Sequence, residues 1–348
     1  MEKIKVGILG ATGMVGQRFV ELLQDYPWFE VTELAASERS AGRSYKEALG
    51  KRWSLSDKIP ENVANIKVKE CKPNLDCKIV FSALDSSVAG PIEEEFAKNG
   101  YAVFSNSKNH RMDDDVPLLI PEVNVEHLSI LKKQKERFGK GFIVTNPNCA
   151  TIGLVMALKP LDDNFGLKKV FVTTMQALSG AGLAGLSLDI DDNVIPYIDG
   201  EEEKVETESM KLLGKIKNDK FSFADIKISA QCNRVNVKDG HLEAVSVELD
   251  KKADLGQIKG ALKNFNPLKE LNLPSAPNPL IVLKEEVDRP QPKHDRGLGN
   301  GMAVTVGRIR KCNILDYRFS VLSHNTIRGA AGASILNAEL MKFKGYIE

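Results

Sequence analysis

The feature that most constrains this chain lies at its N-terminal end. Lys5-Val6-Gly7-Ile8-Leu9 is a short apolar run, Gly10-Ala11-Thr12-Gly13-Met14-Val15-Gly16 comes next, and Gln17-Arg18-Phe19-Val20-Glu21-Leu22-Leu23 is apolar at helical spacing. Strand, glycine-rich turn and helix in this order predict the opening of a doubly wound parallel sheet. Backbone N–H groups of such a turn approach a pyrophosphate at the helix N-terminus, where the dipole favours negative charge. The spacing is Gly-x-x-Gly-x-x-Gly rather than Gly-x-Gly-x-x-Gly, so the turn alone does not separate a dinucleotide site from another α/β turn.

The next hundred residues extend the same pattern. Val31-Thr32-Glu33-Leu34-Ala35-Ala36 reads as a second strand ending in Ser37-Glu38-Arg39-Ser40-Ala41-Gly42-Arg43. In a Rossmann unit the adenosine ribose is read here: a carboxylate selects NAD, whereas hydroxyls and Arg accommodate a 2′-phosphate. Ser37, Arg39, Ser40 and Arg43 favour NADP, and Glu38 is a dissenting carboxylate. Ile79 to Leu84 and Ala102 to Asn106 read as further strands, with helical patterns between them such as Ile92 to Asn99. Alternating strands and helices imply a parallel sheet whose ligands lie at the carboxyl ends of the strands. Ser82 and Leu84 are at one such end, and the segment after Ser105 is at another.

The chain has 348 residues, beyond the size at which one core stops growing, so two domains are expected. Its net charge of +1 supplies no bulk field for nucleic acid or an anionic membrane surface. Neither a signal-peptide pattern nor an apolar run long enough for a membrane helix is visible, so a cytoplasmic protein is expected. Five cysteines without a Cys-x-x-Cys pair, and five scattered histidines without His-Glu-x-x-His, suit a reducing compartment and give no zinc pattern. No Tyr-x-x-x-Lys, Walker A run or Gly-x-Ser-x-Gly elbow occurs, which removes short-chain dehydrogenases, P-loop proteins and α/β-hydrolases.

Cys149 stands apart from the other cysteines. Gly141 to Thr145 reads as a strand, Asn146-Pro147-Asn148-Cys149-Ala150-Thr151 ends it, and Ile152 to Leu158 is an apolar helix. A cysteine at a helix N-terminus is placed to be a nucleophile, because unsatisfied N–H groups stabilise a thiolate there and can also hold an oxyanion. Cys71, Cys77, Cys232 and Cys312 read as ordinary structural thiols. Further on, two alternating runs flank Asp239-Gly240, a two-residue hairpin signal. With Lys238 opposite His241, Arg234 and His241 would share one face of the sheet about 13 Å apart. An acidic helix is expected from about Glu202 to Leu213, with Glu208 and Lys211 on one face at i, i+3; the bland reading of that pair is a solvated salt bridge.

Gly-Ala-Thr-Gly-x-Val-Gly at the start, Asn-Pro-x-Cys in the middle and Arg-Gly-Ala-Ala-Gly at 328–332 together resemble the aspartate-semialdehyde dehydrogenase family, in its archaeal and fungal branch. The resemblance runs along essentially the whole chain. It implies a Rossmann-type NADP-binding domain over 1–150, completed by a C-terminal helix at 325–348, and an α+β catalytic and dimerisation domain over 151–324. It implies NADPH-dependent reductive dephosphorylation of L-aspartyl-4-phosphate to L-aspartate 4-semialdehyde, on the route to Lys, Met, Thr and Ile, through a thioester on Cys149 and without a metal.

The resemblance also distributes roles. His241 becomes the general acid/base and Gln176 orients the acyl group. Arg234 binds the α-carboxylate and Glu208 the ammonium, while Arg111, Asn148 and Lys211 hold phosphate. NADP falls to Gly10, Thr12, Gly13, Met14, Val15, Gly16, Ser37, Arg39, Ser40, Ser82 and Leu84, with Ser179, Gly180, Gly182 and Asn325 at the nicotinamide. The partners expected are small molecules and further copies of the chain, as a homodimer or homotetramer. Two other readings share parts of the pattern. One is acyl-CoA reduction of the malonyl-CoA reductase kind, against which the retained Asn148 argues; the other is a non-catalytic nicotinamide sensor, against which Cys149, Gln176, Arg234 and His241 argue. The stretch from Asn272 to Asn300, rich in Pro and Gly, is expected to be a mobile or partner-contacting loop.

Overall fold

The structure, a computed structural model, describes residues 2–55, 58–185 and 188–347. It divides into two compact units, one of residues 1–119, 127–146 and 330–348, the other of residues 120–126 and 147–329. No helix of the described residues is long and apolar enough to cross a membrane.

The first unit is built on six strands, β1 (Ile4–Leu9), β2 (Phe29–Ala36), β3 (Lys69–Glu70), β4 (Ile79–Ser82), β5 (Ala102–Ser105) and β6 (Phe142–Thr145). Their order is β3-β2-β1-β4-β5-β6 and every pairing is parallel. This is the doubly wound sheet the sequence predicts. The helices on its faces explain why Ile79-Val80-Phe81-Ser82 and Ala102-Val103-Phe104-Ser105 are buried at every position rather than alternating. Phe81 anchors the core, stacked on Phe19 at 4.9 Å between ring centroids and edge-on to Phe29 at 6.2 Å. Each such ring contributes roughly 1.5–3 kcal/mol through burial.

Strand order reverses between β1 and β4, and the glycine-rich turn lies at that switch point. Gly10 has φ +76° there, and a Cβ on it would sit 2.5 Å from the carbonyl oxygen of Ala83. A Cβ on Gly16 would sit 2.3 Å from the Gly10 carbonyl oxygen. Both contacts are with backbone, so neither can relax through a rotamer. The returning helix Gly332–Phe343 is tied to this unit by polar side chains. Asn337 Nδ2 donates to Asn146 Oδ1 at 2.6 Å, and Asn146 Nδ2 donates to Ser334 Oγ at 2.7 Å. Sequence reasoning returns the chain at 325, whereas the change of unit falls at Ala330.

The second unit holds a mixed sheet. Its strands are β7 (Leu167–Gln176), β8 (Val194–Ile195), β11 (Lys227–Val235), β12 (His241–Leu249), β13 (Ile281–Lys284), β14 (Val304–Lys311) and β15 (Tyr317–Ser323), in the order β13-β14-β15-β12-β7-β11-β8. A separate small ribbon pairs β9 (Lys215–Lys217) with β10 (Lys220–Ser222).

This strand order corrects two expectations. β11 and β12 do not form a hairpin: β7 lies between them, parallel to β11 and antiparallel to β12, with eight register pairs on each side. Gly240 has φ +100°, but Asp239 does not share a positive φ, so the two-residue hairpin turn that Asp239-Gly240 signals does not form. The longer β7 offers each neighbour a full-length partner, and the Glu201–Leu212 helix serves as the crossover between parallel β7 and β11. The Asn272–Asn300 stretch is not simply a loop either. It contributes β13, which pairs in parallel with β14 at the sheet edge.

The acidic helix also explains its own composition. Glu202 accepts from the Cys232 N–H at 3.0 Å and Glu206 from the Ala230 N–H at 2.9 Å. At i, i+4 these carboxylates take the place of a strand along the part of β11 that β8 does not cover.

Candidate active site

Cys149 opens the helix Cys149–Phe165, and Asn148 is its N-cap. Asn148 Oδ1 accepts from the N–H groups of Ala150 at 2.8 Å and Thr151 at 3.3 Å, satisfying two donors the helix cannot satisfy itself. The remaining groups of Asn148 are held by the acidic helix. Its N–H donates to Glu208 Oε2 at 2.6 Å, and its Nδ2 donates to Glu201 Oε1 at 2.7 Å. Glu201, Val205, Glu208 and Leu212 form one buried stripe of that helix, so both carboxylates turn inward at i, i+7. Burial opposes ionisation of Glu201, but the charge of Lys204, the Asn148 amide and nearby His241 together hold its carboxyl below the usual range. The consequence is a capped first turn with Cys149 at the positive end of the helix dipole.

His241 Nε2 lies 3.2 Å from Cys149 Sγ. The imidazole is fully buried; desolvation, reinforced by Arg234 and His324, pushes its pKa down to about 3. The strand order that removes the hairpin also brings Arg234 and His241 together. Arg234 on β11 registers with Gln176 on β7, and Leu242 on β12 registers with Met175, so Gln176 ends the strand between them. Arg234 Nη1 donates to the Ala177 carbonyl at 2.6 Å, and the Ala177 N–H donates to His241 Nδ1 at 3.0 Å. Gln176 is buried and donates to Thr174 Oγ1 at 3.3 Å. A Cβ on Gly180 would lie 2.8 Å from Arg234 Nη1 and 3.0 Å from His241 Cε1, so these side chains converge over a residue that must lack one.

Other expected residues lie in the same unit. Lys211 is fully buried, its ammonium 4.0 Å from the Phe221 ring centroid. Asn325 bridges two loops, donating to Ser179 Oγ and accepting from the Gly240 N–H, both at 2.8 Å. Gly182 has φ +66°, a conformation L side chains rarely adopt. Three participants went unread in the sequence. Glu201 stood just outside the helix expected from about Glu202, Ala177 acts only through its backbone, and Gly329 serves by its size. A Cβ on Gly329 would meet Cys149 Cβ at 2.8 Å. For Glu201 the signal available was its i, i+7 spacing from Glu208; for Ala177 there was none.

The remaining expected residues belong to the first unit. Gly13 caps the helix Met14–Leu22 without a side-chain hydrogen bond, and no acidic residue stands in the first turn, so no side chain there competes with an anion. Buried Gln17 braces the turn, donating to the carbonyls of Thr12 at 3.2 Å and Arg52 at 3.0 Å; Met14 is buried and Val15 half-buried. Ser37 and Arg39 are exposed in the turn after β2, and Ser40 is buried. Close-approach glycines, an uncapped helix start and an adjacent Arg/Ser turn fit a phosphorylated dinucleotide. Ser82 Oγ donates to Glu93 Oε1 at 2.6 Å, and Leu84 is half-buried beyond the strand end. Arg111 is buried and donates to the Asn106 carbonyl at 2.8 Å.

Comparison with known proteins finds relatives along nearly the whole chain. Residues 5–131 match the family described as semialdehyde dehydrogenase, NAD binding domain, and residues 158–328 match semialdehyde dehydrogenase, dimerisation domain. An aspartate-semialdehyde dehydrogenase of Archaeoglobus fulgidus is 54% identical over 342 residues, covering 97% of this chain and 98% of that one. Another from Methanothermobacter thermautotrophicus is 50% identical over 345 residues, covering 97% and 99%. Among crystal structures, aspartate semialdehyde dehydrogenase with NADP from Candida albicans superposes with a TM-score of 0.91 at 44% identity, covering 99% of this chain and 100% of that chain.

Proposed function

The chain belongs to the aspartate-semialdehyde dehydrogenase family, and from that premise we propose how its own residues divide the work. It is an NADP-dependent oxidoreductase that links L-aspartyl-4-phosphate to L-aspartate 4-semialdehyde in amino-acid biosynthesis. In this reading Cys149 is the nucleophile, forming a thioester with the substrate acyl carbon as phosphate leaves, which divides one hard displacement into two easier steps. The observation that carries it is the 3.2 Å approach of His241 Nε2 to a sulfur on the first residue of a capped helix. When bound, NADPH supplies the hydride that reduces the acyl group.

His241 is the acid–base partner of the sulfur, and Gln176 orients the acyl group. Arg234 takes the α-carboxylate through a planar fork. Glu208 receives the ammonium, and Arg111, Asn148 and Lys211 bind phosphate. Asn148 and Glu208 take these roles from within bonds they already make to each other and to Glu201, so substrate binding exchanges hydrogen bonds rather than filling vacant ones. Gly10, Thr12, Gly13, Met14, Val15, Gly16, Ser37, Arg39, Ser40, Ser82 and Leu84 hold the nucleotide, with Ser179, Gly180, Gly182 and Asn325 at the nicotinamide. Residues 1–150 with 325–348 serve the cofactor and 151–324 serve catalysis and self-association.

The dimerisation-domain match makes association with further copies part of this reading, as a homodimer or homotetramer. An apolar groove lined by Val170, Phe171, Ile228, Ile314 and Leu315, with Phe171 and Ile314 exposed, supports the sheet face as that contact. Five free thiols suit a cytoplasmic setting.

The test monitors the near-ultraviolet absorbance of NADPH with purified protein, NADP, L-aspartate semialdehyde and inorganic phosphate. Absorbance should rise only with phosphate and be abolished in Cys149→Ser. A rise that needs coenzyme A instead, or survives in Cys149→Ser, overturns the assignment of roles.

A further inference from the structure

Glu201 is the first residue of the acidic helix and bonds to the N-cap of the nucleophile helix, so one buried carboxylate stands between two helix starts. Both helix dipoles favour a negative charge there. Its two oxygens serve different donors. Oε1 accepts from Asn148 Nδ2 at 2.7 Å, and Oε2 accepts from Lys204 Nζ at 2.9 Å. Burial works against the charged form, but the Lys204 ammonium, the Asn148 amide and nearby His241 hold the carboxyl below its usual range, so both oxygens remain acceptors.

Asn148 is tied through each of its polar groups. Its Oδ1 caps the nucleophile helix and its carbonyl accepts from the Ile152 N–H at 3.1 Å. Its N–H donates to Glu208 and its Nδ2 to Glu201. On the reading above, these bonds have different fates. Glu208 turns to the substrate ammonium and releases the Asn148 N–H. The cap stays, because Cys149 keeps its place at the helix start. Among the described residues, the bond to Glu201 is then the tie from outside the helix that remains on Asn148.

We propose that Glu201 is a positioning residue for phosphate: it holds the Asn148 side chain in one orientation while Glu208 exchanges partners, so that phosphate meets Asn148 in a fixed geometry. The proposal rests on the reading of Asn148 as a phosphate ligand and names the residue that prepares that ligand. Glu201 acts through Asn148 and touches no reacting atom.

The two donors on Glu201 make the role specific to a carboxylate. A carboxylate accepts at both oxygens, whereas a glutamine offers one acceptor oxygen and one donor amide. Glu201→Gln therefore sets Asn148 Nδ2 and Lys204 in competition for a single oxygen. The charged Lys204 is the stronger donor and takes it. The new amide then meets Asn148 Nδ2 donor against donor, and Asn148 turns away. Removing Lys204 as well returns the oxygen to Asn148. A role limited to filling space at the start of the acidic helix would show no such reversal.

The experiment is steady-state kinetics on the full-length enzyme with L-aspartate semialdehyde, NADP and inorganic phosphate. Glu201→Gln should raise the KM for phosphate roughly tenfold or more, with a smaller fall in kcat and little change in the KM for NADP. Glu201→Gln with Lys204→Met should recover most of that loss, and Glu201→Ala with Lys204→Met should not. An unchanged phosphate KM in Glu201→Gln overturns the proposal. So does a Gln/Met double variant no better than Glu201→Gln, or no better than the Ala/Met one. Where Glu201→Gln does not fold, the two double variants carry the comparison between themselves. Asn148→Ser separates the proposal from the reading beneath it, since serine keeps a capping oxygen and removes the amide. A wild-type phosphate KM in Asn148→Ser removes Asn148 as a phosphate ligand and the proposal with it. A raised KM there, beside an unchanged one in Glu201→Gln, overturns the role of Glu201 alone.

Discussion

Arg328 and Glu122 form a bidentate ion pair in which both side chains are buried, Nη1 to Oε1 at 2.7 Å and Nη2 to Oε2 at 2.8 Å. The pair fixes the segment that carries Gly329 against Cys149. Removing one partner leaves an uncompensated buried charge, which costs about 3–5 kcal/mol, whereas replacing both by apolar groups of similar volume is often neutral. Arg328→Met or Glu122→Leu alone should therefore destabilise the fold by about that amount in urea unfolding, and the double variant should recover most of it. Single variants within about 0.5 kcal/mol of wild type, the range of ordinary surface substitutions, would show that the pair is not a structural anchor.

Gly180→Ala should impair substrate binding more than chemistry. The new methyl meets the mobile end of Arg234 at 2.8 Å before it meets the His241 ring at 3.0 Å, and the guanidinium can yield where the ring cannot. The expected outcome in steady-state kinetics is a KM for aspartate semialdehyde raised roughly tenfold or more with a smaller fall in kcat. An unchanged KM with a collapsed kcat would place the damage on His241 instead.

Cys312 should report on the sheet face. Backbone N–H groups of Ile314 and Leu315 hold its thiol below the ordinary range, while burial pushes Cys77 and Cys232 up to about 12. Iodoacetamide followed by peptide mapping should therefore spare Cys77 and Cys232. Cys312 borders the apolar groove, so its labelling relative to Cys149 should rise on dilution as copies separate. A ratio independent of protein concentration would count against the groove as a contact between copies.

Glu243 should make stability fall with rising pH. Complete burial raises its carboxyl pKa well above the usual value, and neither carboxylate oxygen has a hydrogen-bond partner among the described residues. In the unfolded chain the group ionises near its ordinary value, so above that pH the folded state binds the extra proton and loses stability as pH rises. Glu243→Gln cannot ionise. Its melting temperature should exceed the wild type's at pH 8 by more than at pH 5; an equal difference at the two pH values would show that Glu243 does not titrate in this way.

Legibility differed between the two units for a definable reason. The glycine-rich turn, the buried runs of β4 and β5 and the cysteine at a helix start are local patterns, each carried by a few consecutive residues. The pairing of Arg234 with Gln176 was not local. It depends on a strand more than fifty residues earlier displacing the nearer partner that a turn dipeptide suggested.

The amino-acid sequence by itself determined the doubly wound sheet, the position of the nucleophile candidate and the residue types gathered around it, because periodicity, glycine spacing and helix-start chemistry act over one or two turns of chain. Only the tertiary structure decided that β7 separates β11 from β12, that Glu201 turns inward to hold Asn148, and that the backbone of Ala177 joins Arg234 to His241. Those relationships depend on which buried donors and acceptors find one another once distant segments pack, and a backbone amide contributes the same groups whatever residue the sequence shows there.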